Sequence, residues 1–303
     1  MLRATRIALA LMLGMSAPSV SRSARWMTFS GAAASAGEEP AQHATLKPAT
    51  ATTPDSPLGD YDSTSEQQLL ELANQARAQA GVPPLTMDSG LSQAARTHAK
   101  AMLAAEQLSH QFNGEPSLPQ RLAATTRLQL DQEGENVALD FDAAGAQQHL
   151  MLSPPHRANL LNAAYNVVGL GVVRGGDQLY IVQDFGHALP NYSAAEVKDR
   201  IAAAVAQMRR QGGQPDLPRR DLLTADDAAC SMAQADKLST SPIHQLAQRY
   251  TVLTFTSLHP ETLPASAPRA LAGHNLRSFS VGACYARTET YPTGVYWVVL
   301  TLE

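Results

Sequence analysis

The chain has 303 residues, 44% of them hydrophobic and 17% charged, which suits one large or two modest globular domains. Its 23 Lys and Arg residues stand against 27 Asp and Glu residues, for a formal charge of −4. That balance lacks the basic footprint of nucleic-acid binding and argues against docking on an anionic membrane. The two cysteines exclude a disulfide-rich scaffold and a four-thiolate zinc site.

The first residues have the pattern of a secretory signal. Arg3 and Arg6 precede an apolar run that is too short to span a bilayer. Small residues at 34–36 fit a cleavage site, and residues 21–23 offer an earlier one. We therefore predict a signal peptide over residues 1–36 and a secreted or periplasmic protein without a transmembrane span in its mature chain. An uncleaved N-terminal anchor is the alternative.

Two helices are predicted after a flexible linker. Residues 37–60 are rich in Ala, Thr, Pro and Gly and predict the linker. A capping box at residues 63–66 opens the first helix, and Gly81 and the prolines after it end that helix. The second helix carries one apolar stripe over residues 91–102. His98 lies on that stripe, and we interpret it as a core histidine.

Two more helices and a hairpin are predicted next. The third helix covers about residues 142–152, and a short fourth helix covers about residues 157–161. Two strands follow, at residues 167–173 and 178–185. Residues 174–177, Arg-Gly-Gly-Asp, are typical of a hairpin turn between them.

The second half of the chain repeats the order of the first. A second capping box, residues 193–196, opens another apolar helical stripe, and a last strand is predicted at residues 295–302. The aligned segments are 77–85 with 209–217, 91–102 with 223–234, and 168–171 with 281–284. We interpret this as an internal duplication with a shorter second copy. Chance similarity between helix–turn–helix segments is the alternative.

Three polar clusters in the first half lie outside the apolar stripes, at what the pattern indicates are element boundaries. They are Ser109-His110, Gly134-Glu135-Asn136 and Ser153-Pro154-Pro155-His156-Arg157. Neutral imidazoles and a carboxylate can bind Zn²⁺ or a similar metal. They can also act as an acid/base set near neutral pH. The spacings match no local zinc motif, so the residues alone leave both readings open.

The order of these motifs resembles the CAP superfamily of cysteine-rich secretory, antigen 5 and pathogenesis-related-1 proteins, and in particular its bacterial secreted branch. The matching pieces are residues 72–77, 109–110, 134–138, 153–161, 168–172 and 183–186. The resemblance implies an α+β fold, a three-layer α-β-α sandwich with an antiparallel sheet (the CAP/SCP fold). We assign it to residues 61–190 and predict a shorter, degenerate CAP-like copy over residues 191–303.

The resemblance also implies a cleft with two histidines and two glutamates. Carried over residue by residue, the histidines are His110 and His156, and one acid is Glu135. Ser153 stands where the second acid would be, and it either caps a helix or forms a hydrogen bond in the cleft. We expect His110 and His156 to be the metal ligands, with Zn²⁺ as the first choice. The second copy is expected to lack the site, since Arg269 holds the position of His156.

Three functions are consistent with this cleft. The first is a secreted or envelope binding protein that holds a divalent metal and a small-molecule, lipid-like or envelope ligand. The second is a peptidase-like, metal-dependent hydrolase in which Glu135 acts as the base on metal-bound water. The third is a structural or adhesion protein whose cleft residues are vestigial.

Cys230 and Cys284 are predicted to form a disulfide. Export would place these two cysteines, which are the only ones in the chain, in an oxidising compartment. Cys230 lies on a predicted helix of the second copy and Cys284 on its penultimate strand, and the sandwich implied by the resemblance packs a helix over that sheet. Two buried free thiols are the alternative.

Overall fold

The structure is a computed structural model that describes residues 61–303, so the predicted signal peptide and linker lie outside the described residues. The helices are α1 (Ser63–Gln79), α2 (Ser89–Ala105), α3 (Leu118–Thr125), α4 (Ala143–Leu152), α5 (Pro154–Leu160), α6 (Ala194–Gln211), α7 (Leu223–Gln234), α8 (His244–Ala247) and α9 (Ala267–Leu271). The strands are β1 (Thr86–Met87), β2 (Gln129–Asp140), β3 (Val167–Gly175), β4 (Gln178–Leu189), β5 (Thr251–Ser257), β6 (Phe279–Ala286) and β7 (Val295–Leu302). Among the described residues, no helix has the length and apolar character needed to cross a bilayer.

The first half is a mixed α+β unit in which one sheet is packed between two helical layers. The sheet has the order β1-β3-β4-β2 and is antiparallel except for β1, which pairs parallel with β3 and departs from the predicted pattern. Alternate residues of β3 and β4 pack against α1, α4 and α5, and the residues between them face α2. Gly169 and Gly171 allow α2 to approach closely, since a Cβ would lie 2.1 Å and 2.3 Å from helix backbone atoms.

A buried arginine ties α1 to the segment that follows α5. The Arg77 guanidinium donates to the carbonyl oxygens of Pro83 at 2.7 Å, Leu160 at 2.9 Å, Asn162 at 3.0 Å and Tyr165 at 2.9 Å. These carbonyls belong to irregular backbone that has no ladder partners there. Arg77 therefore fixes the end of α5, the short helix that carries the second cleft histidine near its start.

The second half has a similar order with fewer elements, α6-α7-α8-β5-α9-β6-β7, and its sheet also lies between helices. Its sheet has the order β5-β7-β6, with α6 and α9 packed on one face and α7 on the other. Arg209 of α6 donates to the carbonyl oxygens of Pro215 at 2.7 Å, Leu271 at 2.7 Å and Gly273 at 3.3 Å. The two halves thus share an order and a set of contacts, while the duplication itself stays a prediction.

The halves meet at the connection between α3 and β2. Arg287 donates to the carbonyl oxygens of Ala123 at 3.0 Å, Thr126 at 2.8 Å and Leu128 at 3.1 Å. The Thr293 hydroxyl donates to the Leu130 carbonyl at 3.0 Å. The second half therefore holds the segment that leads into β2.

Two local predictions were wrong and two are confirmed. The capping box at residues 63–66 does not form, because Asp62 caps α1 by accepting the Ser65 N–H at 2.9 Å. Helix α5 begins at Pro154 rather than at residue 157, since proline suits a first helical turn. The capping box at residues 193–196 and the hairpin turn between β3 and β4 are confirmed.

A disulfide joins α7 to the second sheet. Cys230 on α7 and Cys284 on β6 are bonded, with their Cα atoms 5.0 Å apart and a sequence separation of 54. The bond lies within the second half and fixes its helix to its sheet.

We expect the denatured, unreduced protein to contain no reactive thiol. Replacing both cysteines by alanine should lower the free energy of unfolding by about 4 kcal/mol, because the bond closes a long loop in the unfolded chain. Thiol titration and urea unfolding measure the two effects. Reduced wild type serves as the control and should unfold like the double variant, whereas two reactive thiols in the unreduced chain would contradict the prediction.

Candidate functional site

The centre of the site is the buried carboxylate of Glu135. Its Oε1 accepts a hydrogen bond from His110 Nδ1 at 2.9 Å, and its Oε2 forms an ion pair with Arg121 Nη2. The Glu135 side chain is 4% exposed and that of His110 is 60% exposed. Because Nδ1 faces an acceptor, we assign the ring proton to Nδ1, which leaves Nε2 of a solvent-reachable imidazole free to bind.

Glu135 lies in the middle of β2, not at an element boundary as predicted. The site is therefore built on a strand of the sheet, opposite Asp184 of β4 in the antiparallel register. A rigid strand holds a side chain in a narrower range of positions than a loop does.

Two buried side chains, His98 and Arg121, hold the loop that carries His110. His98 is fully buried, as predicted, and its Nε2 lies 2.8 Å from the Ser109 carbonyl while its Nδ1 lies 2.7 Å from Glu115 Oε1. Arg121 Nη1 donates to the His110 carbonyl at 2.9 Å. These hydrogen bonds hold the backbone on both sides of the His110 Cα without the help of a bound ligand.

Both partners of His98 are hydrogen-bond acceptors. Burial would raise the pKa of Glu115, but hydrogen bonds from the Phe112 N–H and from His98 outweigh burial and hold that pKa below its ordinary value. Glu115 is therefore ionised and can only accept, as does the Ser109 carbonyl, so each ring nitrogen of His98 faces an acceptor.

His156 reaches the same cleft from α5. The Asn136 side chain of β2 donates to the His156 carbonyl at 3.1 Å, and the Asn159 side chain donates to the Glu135 carbonyl at 3.1 Å. Burial first, and repulsion from the His110 imidazole second, hold the pKa of His156 below its ordinary value. His156 is therefore neutral at neutral pH.

Ser153 occupies the N-cap position of α5, one of the two roles predicted for it, but its side chain makes no capping hydrogen bond. The next two residues are prolines, which have no N–H for a cap to accept. The structure thus brings His110, Glu135 and His156 together and leaves Ser153 as the residue that starts the helix.

Three residues of the site, Glu115, Arg121 and Asp184, were not predicted from the sequence. His98 was predicted only as a core residue, without its hydrogen bonds to Ser109 and Glu115. One signal was available for Asp184, because an acid inside a run that predicts a fully buried strand needs a partner. Arg121 and Glu115 gave no such signal, since one belongs to and the other precedes a short helix whose position depends on tertiary contacts.

Metal coordination at this cleft would rest on the two imidazoles. Within residues 61–303, no group of three or more His, Cys, Asp or Glu side chains is arranged to hold a metal ion. Both oxygens of Glu135 are bonded to protein groups, His110 and Arg121. A carboxylate in that position orients a histidine ligand through its second nitrogen.

Residues 70–185 match the family model described as the cysteine-rich secretory protein family, CAP. The resemblance seen in the motifs is therefore confirmed for this part of the chain. The match covers the helices, strands and clefts described above from within α1 to within β4.

Two curated relatives come from Bacillus subtilis (strain 168). The uncharacterized membrane protein YlbC is 33% identical over 124 residues, which are 41% of this chain and 34% of that protein. The uncharacterized protein YkwD is 30% identical over 136 residues, which are 44% of this chain and 52% of that protein. The chain thus spans about a third and about half of these relatives. The solved structure of an extracellular SCP-domain protein from Bacillus anthracis is 28% identical, with a TM-score of 0.38 and 41% of each chain covered.

We expect His110→Ala to raise the pKa of His156. The substitution removes a neighbouring imidazole whose protonated form would repel a second positive charge, so His156 would take up its proton at higher pH. NMR titration of the imidazole resonances measures this. His149→Ala is the matched control, because His149 also bonds a carboxylate through Nδ1, that of Asp140, at 2.6 Å. An unchanged or lower His156 pKa in His110→Ala would contradict the prediction.

Proposed function

We propose that the CAP domain is an extracellular binding module whose cleft holds a divalent metal, Zn²⁺ as first choice, through His110 and His156. A small or lipid-like ligand would then occupy the open positions beside the metal. The proposal rests on the contacts that Glu135 makes with His110 and Arg121. They fix the solvent-reachable imidazole of His110 and leave its Nε2 free.

The chemistry of the donors supports a metal at this place. Only a neutral imidazole binds metal, and the lowered pKa of His156 keeps that ring neutral at neutral pH. Glu135 holds the proton of His110 on Nδ1, which is the arrangement that makes Nε2 the ligand atom. A bound metal would supply an electrophilic centre for an oxygen or nitrogen atom of the ligand.

Binding is favoured over hydrolysis because Glu135 has no free oxygen for a base. Its side chain is 4% exposed, and both oxygens are engaged, one of them by the guanidinium of Arg121. A general base must reach the proton that it removes, directly or through one water. The second carboxylate that the family would place near Ser153 is also missing from that position.

The extracellular placement rests on the predicted signal segment and on the disulfide. Disulfides persist in oxidising compartments and are rare in the cytosol, so the Cys230–Cys284 bond fits an exported chain.

We propose that the second half is a shortened, degenerate CAP-like copy of the first. Arg77 and Arg209 make corresponding contacts, and the strand orders β3-β4-β2 and β6-β7-β5 correspond. Gly282 faces the backbone of α7, where a Cβ would lie 2.1 Å from Ala225, as Gly169 faces that of α2.

The cleft residues are replaced in this second copy. The register sets Thr256 of β5 opposite Trp297 of β7, where the first copy sets Glu135 opposite Asp184. Cys230 stands at the position of His98 in the alignment of the two helices. In the second copy, a threonine, an apolar residue and a disulfide-bonded cysteine thus occupy the positions that Glu135, Asp184 and His98 hold in the first copy. We therefore propose that the second copy supports the first copy structurally.

Zinc titration by calorimetry tests the proposed metal site. We expect wild type to bind one Zn²⁺, and we expect His110→Ala and His156→Ala each to weaken binding by at least about 100-fold, because each removes one of two ligands. Affinity should fall as the pH drops through the histidine range near about 6.5.

His149→Ala is the matched control for the metal site, since it removes an exposed imidazole that is bonded to a carboxylate outside the cleft. This variant should bind Zn²⁺ like wild type. Equal affinity in wild type, His110→Ala and His156→Ala would overturn the proposed site.

The proposed repeat is tested by paired arginine variants. Arg77→Met and Arg209→Met should each lower the free energy of unfolding by about 3 kcal/mol or more, because each leaves buried carbonyls without donors. Arg210→Met is the control, since this exposed neighbour bonds only an exposed Asp216. Urea unfolding that shows the same loss for Arg209→Met and Arg210→Met would contradict equivalent roles for Arg77 and Arg209.

A further inference from the structure

A second carboxyl group lies beside Glu135 although the sequence position of the family's second acid holds Ser153. It belongs to Asp184, which sits on the central strand β4 directly opposite Glu135. Asp184 is fully buried on the face that packs against α2. Its two oxygens have no hydrogen-bond donor among the described groups.

A buried carboxylate without donors is strongly unfavourable, whereas a neutral carboxylic acid can itself donate. Burial raises the pKa of Asp184 well above its ordinary range, and the nearby Glu135 charge raises it further, against the opposing effect of Arg121. Glu135 lies directly opposite Asp184 in the pairing of β2 with β4, so the two carboxyl groups share one face of the sheet. Of the two acids, Glu135 is the one that has charged donors, so Glu135 keeps the negative charge.

We infer that Asp184 is the second acid of the cleft and that it stays protonated and donates its O–H to Glu135. Glu135 would then receive three donors, from His110, Arg121 and Asp184, which lie on a loop, a helix and a strand. A carboxylate has about four acceptor sites, so all three fit. Asp184 is a positioning residue, because it acts on the His110 imidazole through Glu135.

The competing arrangement is an ionised Asp184 paired with Arg121. The contacts disfavour it, because Arg121 directs Nη2 at Glu135 and Nη1 at the His110 carbonyl. Nε of Arg121 has no hydrogen-bond partner among the described residues, and neither oxygen of Asp184 accepts a bond from any nitrogen of Arg121. A neutral acid needs no such bond.

The inference rests on the cleft proposed above. Its test measures the protonation of Asp184 and uses no metal or ligand, so it can fail while the proposed metal site holds, and the reverse. The probe is carboxyl ¹³C NMR of protein labelled at Asp and Glu, followed from about pH 4 to about pH 8. The Asp184 resonance, assigned by its loss in Asp184→Asn, should keep the shift of a neutral acid throughout. Asp140 is the control, a buried acid of the same sheet that is bonded to His149 and should be ionised at pH 7.

Two variants separate a neutral Asp184 from an ionised one. Asp184→Asn keeps a donor toward Glu135 and should leave the midpoint of the Glu135 titration nearly unchanged. Asp184→Leu removes the donor and should raise that midpoint by about one pH unit or more, since a hydrogen bond to the charged form favours it. If Asp184 were ionised, both variants would remove a repelling charge and lower the midpoint.

An Asp184 resonance that is ionised at pH 7, or a lowered Glu135 midpoint in Asp184→Asn, would overturn the inference. If Asp184→Leu does not fold, the Asp184 resonance and the Asn variant still decide between the two states.

Discussion

A carboxylate taken out of water has to be surrounded by donors, and for Glu135 these come from parts of the chain that are far apart in sequence. His110 follows α2, Arg121 belongs to α3, and the strand partner of Glu135 belongs to β4. The donors can therefore assemble only when the sheet and its α2 layer are both in place. The same requirement fixes the His110 loop, because His98 and Arg121 hold the backbone of that loop while they bond to Glu115 and Glu135.

Much of the fold could be predicted from local patterns. The helices with an apolar stripe, the β3–β4 hairpin and the last strand were predicted within a few residues, because each has its own periodicity or turn. Strand β2 was not predicted because polar and apolar residues alternate poorly along it. Gln129, Glu133 and Glu135 are polar because of the residues that surround them in the folded protein. The cap of α1 was misassigned because Glu66 leaves the helix end to pair with Arg96 at 2.9 Å.

Part of the candidate site could likewise be predicted from the sequence, and part could not. His110, Glu135 and His156 belong to short motifs that resemble a known family, so the sequence contains their signal. The roles of Arg121 and Asp184 depend on where α3 crosses the sheet and on the register of β2 against β4. Neither is encoded within a window of a few residues, since a shift of one residue in that register would turn Asp184 to the opposite face.

The Arg287 contact bears on how this chain can be divided. One guanidinium supplies donors to three carbonyls at the end of α3 and in the turn before β2, and removal of residue 287 would remove all three bonds at once. A truncation between the halves would therefore expose the end of α3 to solvent and let it fray, although the cut lies far from that helix in sequence.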